Sequence, residues 1–398
     1  MNFTINPLLT AVGEPPISEA ISWISGRTFP DDKPLVDLSQ AAPGYPPAPA
    51  LTDHLREIIG SAQSSRYTDI EGIPPLRAGL ARDINRRYGG AVKSDHVLIT
   101  AGCNQAYCLA ANALAKPGDE IIQTSPYYFN YRMWLDMSGI KTVLLPHARG
   151  KSGNNPASPD LAAAEKLIGP KTRALVLISP NNPTGAIYPP EQIRAAFELC
   201  RKQKIAFILD ETYRDFMPAS PAPHDLFRDA DWADTLIHLY SFSKSFSLPG
   251  YRVGALVADP KLLAEIGKAM DCVAICAPRI GQLAAAYGLE HLDSWRAGIT
   301  EMIGDRLLAV QSAFSRNDLG YELISAGGFF AYLKHPHRGR SAMDVAKRLA
   351  QQQNLLILPG TMFGPDQDDY LRVAFANVEA KWMPEVAERL AQDAAQSF

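Results

Sequence analysis

Between residues 97 and 257, short runs of apolar, strand-forming residues alternate with longer helical segments, and this alternation restricts the fold more than any other feature. Several runs are apolar throughout, which is typical of strands covered by helices on both faces. The seven strand candidates are Val97–Thr100, Glu120–Thr124, Thr142–Leu145, Ala174–Ser179, Ile205–Asp210, Leu236–Ser241 and Val253–Val257. We therefore predict an α/β fold in which helices sandwich a mostly parallel seven-stranded sheet.

The two ends of the chain follow a different pattern. Residues 1–47 are rich in proline, which predicts an arm that lies on another surface and has no core of its own. After about residue 290, one long helical segment precedes short strand and helix candidates, as in an α+β domain. We predict a large domain over residues 48–290, and a smaller α+β domain formed by residues 291–398 together with the arm, 1–47.

The composition of the 398 residues argues against several classes of protein. A net charge of −3 gives no reason to expect nucleic acid or an anionic membrane as a partner. The five cysteines form no CxxC pair and are odd in number, which indicates reduced thiols. The N-terminal residues lack the pattern of a secretory signal, and no apolar run has membrane-spanning length. We predict a cytoplasmic protein without a metal site.

Lys244 lies in a polar connection between the last two strand candidates, among four serines that include Ser241 and Ser243. Arg252 follows eight residues later. A lysine held by such a scaffold can form a Schiff base with a carbonyl group, and nearby hydroxyls and an arginine can hold a phosphate. The same residues also suit an ordinary solvated loop, so a functional role for Lys244 needs support from other residues of the chain.

Other polar residues follow the strand candidates, and ligands of doubly wound sheets bind beyond the carboxyl ends of the strands. The turn Gly102-Cys103-Asn104 opens a helix and offers free N–H groups to a phosphate, although many such turns are plain connections. Asn182 lies in a turn-forming Asn-Pro-Thr-Gly stretch and can direct an amide into a cleft or only shape the turn.

Three further candidates carry charge or aromatic rings. Asp210 ends a buried strand, where its carboxylate needs a cation such as a protonated pyridine, and Tyr213 can bind a ring oxygen. Tyr128 belongs to an aromatic cluster that suits either cofactor stacking or core packing. Arg372 lies within an apolar strand candidate, and its planar guanidinium suits a carboxylate.

These motifs occur in one order along the chain: Gly-x-x-Gln at 102–105, Asn-Pro-Thr-Gly at 182–185, Asp-x-x-Tyr at 210–213, Ser-x-x-Lys at 241–244, then Arg252 and Arg372. In that order they closely resemble the class I/II pyridoxal-phosphate-dependent aminotransferases of fold type I, which are similar to aspartate aminotransferase. The resemblance extends from Leu38 to Arg372. It implies that the large domain binds pyridoxal 5'-phosphate.

The resemblance assigns a role to each candidate near the cofactor ring. Lys244 would form the Schiff base and move the proton between substrate and cofactor. Asp210 would pair with the pyridine nitrogen, Tyr213 and Asn182 would bind the phenolic oxygen, and Tyr128 would stack on the ring.

The resemblance also implies how the charged groups of cofactor and substrate are bound. Gly102, Cys103, Asn104, Ser241 and Arg252 would hold the phosphate, with Ser243 as a further candidate. Tyr67 would reach the phosphate of a neighbouring subunit, which implies a homodimer. Arg372 would bind the substrate carboxylate, together with Asn182 and the backbone near Ala41.

The implied function is transfer of an α-amino group from an L-amino acid to a 2-oxo acid. A carbon–sulfur lyase or another elimination enzyme on the same fold remains an alternative, because both reactions begin with removal of the α-proton. A ligand-sensing module of a transcription regulator is disfavoured, since the arm is too short for a DNA-binding domain.

The identity of the donor and acceptor stays open. Ser39-Gln40-Ala41 replaces the Gly-Gln-Gly common in the family, and Asn104 stands where some aspartate-using relatives carry a basic residue. Arg279 is either a distal cation for a second carboxylate or a surface arginine.

Overall fold

The computed structural model describes residues 3–148, 158–217 and 222–396. The strands are β1 (Val36–Asp37), β2 (Val97–Thr100), β3 (Glu120–Ser125), β4 (Lys141–Ala148), β5 (Ser158–Pro159), β6 (Thr172–Ile178), β7 (Ala206–Asp210), β8 (Leu236–Ser241), β9 (Gly254–Val257), β10 (Glu322–Gly327), β11 (Phe330–Lys334), β12 (Leu355–Leu356), β13 (Leu358–Pro359) and β14 (Tyr370–Ala374).

Helices connect most of these strands, with short 3-10 turns between some of them. The helices are α1 (Pro7–Thr10), α2 (Pro16–Ser22), α3 (Pro49–Ile59), α4 (Pro74–Tyr88), α5 (Cys103–Leu114), α6 (Phe129–Met137), α7 (Leu161–Leu167), α8 (Pro190–Gln203), α9 (Phe242–Ser245), α10 (Pro260–Ala274), α11 (Arg279–His291), α12 (Asp293–Phe314), α13 (Ala342–Gln352) and α14 (Met383–Ala394). None of these described helices is both long and apolar enough to cross a membrane.

The central sheet has the strand order β2-β9-β8-β7-β6-β3-β4-β5. From β8 through β7, β6 and β3 to β4, neighbouring strands pair in parallel. β9 runs antiparallel between β8 and β2, and the two-residue β5 pairs antiparallel with the end of β4. The seven predicted strands are all present, so the prediction of a mostly parallel sheet is confirmed, with β5 as an addition at its edge.

The apolar runs explain why the sheet forms where it does. All six residues of β8 and all four of β2 are buried, as suits strands that helices cover. Helices α5, α6 and α10 pack together on the sheet, while α3, α4 and α11 form another packed group. One large apolar core joins these strands and helices.

A second, smaller sheet forms the other part of the molecule. Its strands are antiparallel in the order β10-β11-β14-β13, and α12, α13 and α14 supply much of its apolar core. β1, from the proline-rich arm, pairs in parallel with β12, which anchors the arm to the C-terminal residues. A 3-10 turn, Ala380–Trp382, directly precedes helix α14. The exact division at residues 48 and 290 stays a prediction.

Candidate active site

The functional candidates gather at one edge of the central sheet. The carboxyl ends of the parallel strands lie at this edge, and antiparallel β9 begins there, which brings Arg252 to the same place. A cavity of about 410 Å3 opens at this edge. The predicted site residues that line it are Ala41, Cys103, Asn104, Tyr128, Asn182, Asp210, Tyr213, Ser241, Lys244, Arg252 and Arg372, and Ser243 also lines it.

Two predicted residues, Gly102 and Tyr67, do not line this cavity. Gly102 caps α5 with φ +84°, and a Cβ built on it would collide with the Arg252 guanidinium. Tyr67 is 73% exposed on the outer surface, and its carbonyl accepts a 3.1 Å hydrogen bond from Arg279. Arg279 also lies outside the cavity of its own chain.

Lys244 lies in α9, a single helical turn that begins where β8 ends. The Ser241 hydroxyl oxygen caps this turn by accepting from the Ser243 amide over 3.3 Å. The Lys244 amine, Nζ, donates to the carbonyl of Ala41. Burial, with the nearby charges of Arg252 and Arg372, lowers the pKa of Lys244 to about 8. The structure thus holds an amine that loses its proton far more readily than an ordinary lysine.

Asp210 is a buried carboxylate at the end of β7, only 4% exposed. It accepts hydrogen bonds from the Tyr131 hydroxyl over 2.7 Å and from the Thr212 amide over 2.8 Å. Burial raises the pKa of Asp210, and these hydrogen bonds oppose the rise. Among the described residues, no cation forms an ion pair with Asp210, although a buried carboxylate favours one.

The N-terminus of α5 lies beside Arg252. The first helical hydrogen bond of α5 runs from the Ala106 amide to the Gly102 carbonyl over 3.3 Å, so the amides before Ala106 have no partner within the helix. Arg252 donates to the carbonyls of Pro249, at 2.9 Å, and Ala101, at 3.3 Å. In the part of the chain that the structure describes, no carboxylate neutralises this guanidinium.

Arg372 faces the cavity from β14. Its neighbours Leu371 and Val373 enter the second core, so the alternation of a strand turns Arg372 the other way. It donates to Asn182 Oδ1 over 3.2 Å and to the Ser39 carbonyl, while its Nε has no hydrogen-bond partner. Burial lowers the pKa of Arg372 to about 10. This buried cation also has no carboxylate partner among the described residues.

Two tyrosines border the same space. The ring of Tyr213 packs against Phe329 and Phe330, with centroids 5.3 and 5.2 Å away. Tyr128 accepts a 2.8 Å hydrogen bond from the Asn130 amide. Burial raises the pKa of both phenols, so each keeps its proton at neutral pH.

Sequence reasoning missed several residues of the cavity, above all Tyr131. Tyr131 follows Tyr128, the N-cap of α6, by three residues, and their ring centroids are 5.1 Å apart; this spacing was the available signal. Thr212 binds Asp210 through its backbone, which no side-chain pattern reveals. Ile17 and Gln40, both from the arm, also line the cavity.

The donor set fits pyridoxal phosphate. Lys244, Arg252 and Arg372 have no carboxylate partner, and Asp210 has no cation partner, within the described ranges. The cofactor and an amino acid would bring a phosphate, a carboxylate and a pyridine nitrogen to these groups. The absence of a Cβ at Gly102 lets the Arg252 guanidinium lie against the N-terminus of α5, and a cation beside free helix amides suits a phosphate.

Known proteins similar to this chain are aminotransferases. An aromatic aminotransferase of Arabidopsis thaliana is 27% identical over 393 residues, covering 93% of this chain and 96% of its own. The arginine–pyruvate transaminase AruH of Pseudomonas aeruginosa is 30% identical, with 88% and 87% covered. The solved structure of aspartate aminotransferase from Thermus thermophilus with maleate has a TM-score of 0.86 at 22% identity, covering 98% of this chain and all of its own, so it shows the shared fold alone.

A family model matches nearly the whole chain. The model described as aminotransferase class I and II spans residues 33–390. The predictions of this fold and of an enzyme of the transaminase class are confirmed. The chain belongs to the family of class I and II aminotransferases.

Proposed function

We propose that this chain is a pyridoxal-phosphate-dependent aminotransferase that moves the α-amino group of an L-amino acid to a 2-oxo acid. One observation carries the proposal: within the described residues, the cavity holds three cations without carboxylate partners and one carboxylate without a cation partner. Asp210 and Arg372 are buried, and buried charges left in this way are costly unless a ligand compensates them. The cofactor with an amino acid carries groups of the complementary charge.

Each side of the cavity has a part in binding. Gly102, Cys103, Asn104, Ser241 and Arg252 hold the phosphate. Asp210 pairs with the pyridine nitrogen, Asn182 and Tyr213 bind the phenolic oxygen, and Tyr128 stacks on the ring. When bound, pyridoxal phosphate supplies an aldehyde that condenses with amines and a ring that withdraws the electron pair left at the α-carbon.

Lys244 supplies the amine that condenses with the cofactor, and then acts as the base. A pKa of about 8 leaves a useful fraction of Nζ unprotonated near neutral pH, whereas an ordinary lysine would be almost fully protonated. Lys244 Nζ accepts the α-proton of the substrate and would move it to the cofactor. In the second half of the reaction it would move a proton in the opposite direction, to the α-carbon of the new amino acid.

Arg372 orients the substrate for this proton transfer. Its guanidinium binds the α-carboxylate, and its bond to Asn182 Oδ1 keeps it at the wall of the cavity. The Ala41 carbonyl oxygen accepts from Lys244, so this part of the arm contacts the catalytic lysine. A hydrogen bond from the arm backbone to the carboxylate would have to come from an amide, because a carbonyl oxygen only accepts.

The proposal includes a homodimer in the cytoplasm. The exposed ring of Tyr67 supports a contact with the phosphate of a neighbouring subunit. The five cysteines are all free thiols, which fits a reducing compartment. The large domain over residues 48–290 would hold the cofactor, and the smaller domain would bring Arg372 to it.

A half-reaction screen tests this function. The purified chain is loaded with pyridoxal phosphate, and each of the twenty amino acids is added without a 2-oxo acid. We expect at least one L-amino acid to convert the yellow cofactor to its aminated form, with one equivalent of 2-oxo acid released. Continuous release of ammonia and pyruvate without an acceptor would instead identify an elimination enzyme.

A further inference from the structure

Ser247 has an unusual backbone and a specific partner. It lies two residues beyond α9 with φ +54°, a conformation that is uncommon for residues other than glycine. Its hydroxyl donates a 2.6 Å hydrogen bond to the carbonyl of Tyr45 in the proline-rich arm. Such backbone conformations persist where surrounding contacts hold them, and this contact joins the Lys244 turn to the arm.

Tyr45 completes the contact in the opposite direction. Its phenolic hydroxyl donates to the carbonyl of Lys244 over 2.8 Å. Burial raises the pKa of Tyr45, so the phenol keeps the proton that it donates. Its ring lies edge-on to Trp295, with centroids 6.2 Å apart. Together with the bond from Lys244 Nζ to the Ala41 carbonyl, three hydrogen bonds join the turn to Ala41 and Tyr45.

The arm is fixed on its other side. The Ala374 amide donates to the Leu38 carbonyl over 2.8 Å, and the Asn377 amide group donates to the Asp37 carbonyl over 2.6 Å. Arg372 donates to the carbonyl of Ser39. The segment Ser39–Tyr45 therefore contacts both Arg372 and Lys244.

A single helical turn such as α9 has little stability of its own. Its position therefore depends on contacts with other parts of the molecule. The two hydrogen bonds with Tyr45 are contacts that join it to the arm. The Ser245 hydroxyl of the same turn lies 2.9 Å from the Tyr240 hydroxyl.

We propose that Tyr45 and Ser247 are positioning residues for Lys244. They hold the α9 turn against the arm, so that the Lys244 amine donates to the Ala41 carbonyl whenever the amine is not bonded to the cofactor. The proposal rests on the function proposed above, in which Lys244 is the lysine that condenses with the cofactor. It gives a positioning role to Ser247, which belongs to none of the family motifs.

The contact also sets the surroundings of the amine. Arg252 and Arg372 are the cations that face Lys244, and the other titratable groups on the cavity wall are Cys103, Tyr128, Tyr131, Asp210 and Tyr213. Without the contact, the lysine side chain gains water and moves away from the two arginines. Its pKa then rises from about 8 towards the ordinary value of 10.5.

The test uses the full-length chain without cofactor, as wild type, Tyr45→Phe and Ser247→Gly. Glycine suits the backbone at position 247, so this variant removes the hydroxyl without adding strain. Pyridoxal phosphate is added between pH 6 and 10, and its covalent capture is followed by absorbance. Borohydride trapping and mass spectrometry then identify the modified lysine.

We expect the pH at which the capture rate is half-maximal, its midpoint, to rise by about one unit in Tyr45→Phe and in Ser247→Gly. At any pH well below this midpoint, the capture rate should then be about tenfold lower than that of wild type. Tyr321→Phe, which loses a 2.6 Å phenolic bond to Asp393 far from the turn in sequence, should keep the wild-type midpoint. If Tyr45→Phe or Ser247→Gly folds and its capture rate keeps the wild-type midpoint, the proposal is wrong. Failure of the wild type to capture the cofactor at Lys244 overturns the proposed function instead.

Discussion

The phenolic hydroxyl of Tyr131 donates to Asp210 Oδ2 over 2.7 Å, which gives a buried carboxylate a neutral donor at the point where the fold supplies no cation. The Tyr131 ring lies flat against Tyr107, with centroids 3.6 Å apart and 8° between the planes. Gln123 donates to the Tyr107 hydroxyl over 3.2 Å, which fixes the second ring. Tyr131 is thus held in place to stabilise the charged form of Asp210.

Replacement of Tyr131 by phenylalanine should weaken cofactor binding. The loss of a hydrogen bond to a charged group costs about 1.5–3 kcal/mol, so the dissociation constant of pyridoxal phosphate should rise about tenfold or more. Titration of the cofactor-free chain, followed by absorbance, measures this. Tyr107→Phe is the matched control, since it keeps the stacked rings and loses only the bond from Gln123. Equal affinities for the two variants would show that the bond to Asp210 has no role.

Replacement of Arg372 by lysine should impair substrate binding and leave cofactor binding intact. A lysine keeps the charge but loses the planar guanidinium that binds a carboxylate with two parallel hydrogen bonds. We expect kcat/KM for the amino donor to fall about 100-fold, the equivalent of about 3 kcal/mol. The affinity for pyridoxal phosphate, measured on the same sample, serves as the internal control. An unchanged kcat/KM would show that the substrate carboxylate does not bind to Arg372.

The buried Lys244 amine should destabilise the cofactor-free chain at neutral pH. Its pKa is lowered from 10.5 to about 8, so the unfolded chain binds its proton more tightly than the folded chain. This penalty is complete below pH 8 and disappears as the pH rises to 10.5. The free energy of unfolding of Lys244→Met should therefore exceed that of wild type by up to about 3 kcal/mol at pH 7. Urea unfolding of both chains from pH 7 to 10.5 should show the difference shrinking; a constant difference would exclude the lysine charge as its cause.

Asp83 should be important for stability rather than for chemistry. It accepts a bond from the fully buried Arg214 over 2.6 Å and another from Arg296 over 2.8 Å. Burial alone would raise the pKa of Asp83, but the charges of Arg214 and Arg296 lower it to about 2. Its stabilising effect is thus complete above pH 4 and is lost as the pH falls towards 2.

Asp83→Asn should accordingly cost about 3–5 kcal/mol at pH 7, because it leaves Arg214 charged and buried without its partner. Asp293→Asn changes an exposed carboxylate of the same cluster and should cost no more than about 1 kcal/mol. Chemical denaturation measures both. If both substitutions have the same small effect, the buried pair does not stabilise the fold.

Much of the cavity could be predicted from the sequence, because the residues that matter directly follow apolar runs. Asp210 ends β7, Asn182 follows β6, and Lys244 follows β8, so parallel pairing alone brings them to one edge. Arg372 could be recognised as a charge within an apolar strand. Their individual roles stay predictions, since the structure shows where they lie but not what they bind.

The remaining residues leave no local pattern. Tyr45 and Lys244 are 199 residues apart in the chain, and the arm that carries Tyr45 is distinguished only by its prolines. The aromatic cluster around Tyr131 suits core packing as well as a functional site, so its bond to Asp210 required the fold. Contacts of this kind depend on how distant segments pack, which composition and periodicity do not encode.

A comparison of wild type with Lys244→Ala tests the proposed role of Lys244 most directly. Each chain receives pyridoxal phosphate and then borohydride, and intact-mass and peptide spectra locate any attached cofactor. We expect one cofactor per wild-type chain, on the peptide that contains Lys244, and none on the variant, which should also fail to form a 2-oxo acid from any L-amino acid. Attachment at another lysine, or sustained amino transfer by Lys244→Ala, would contradict this role.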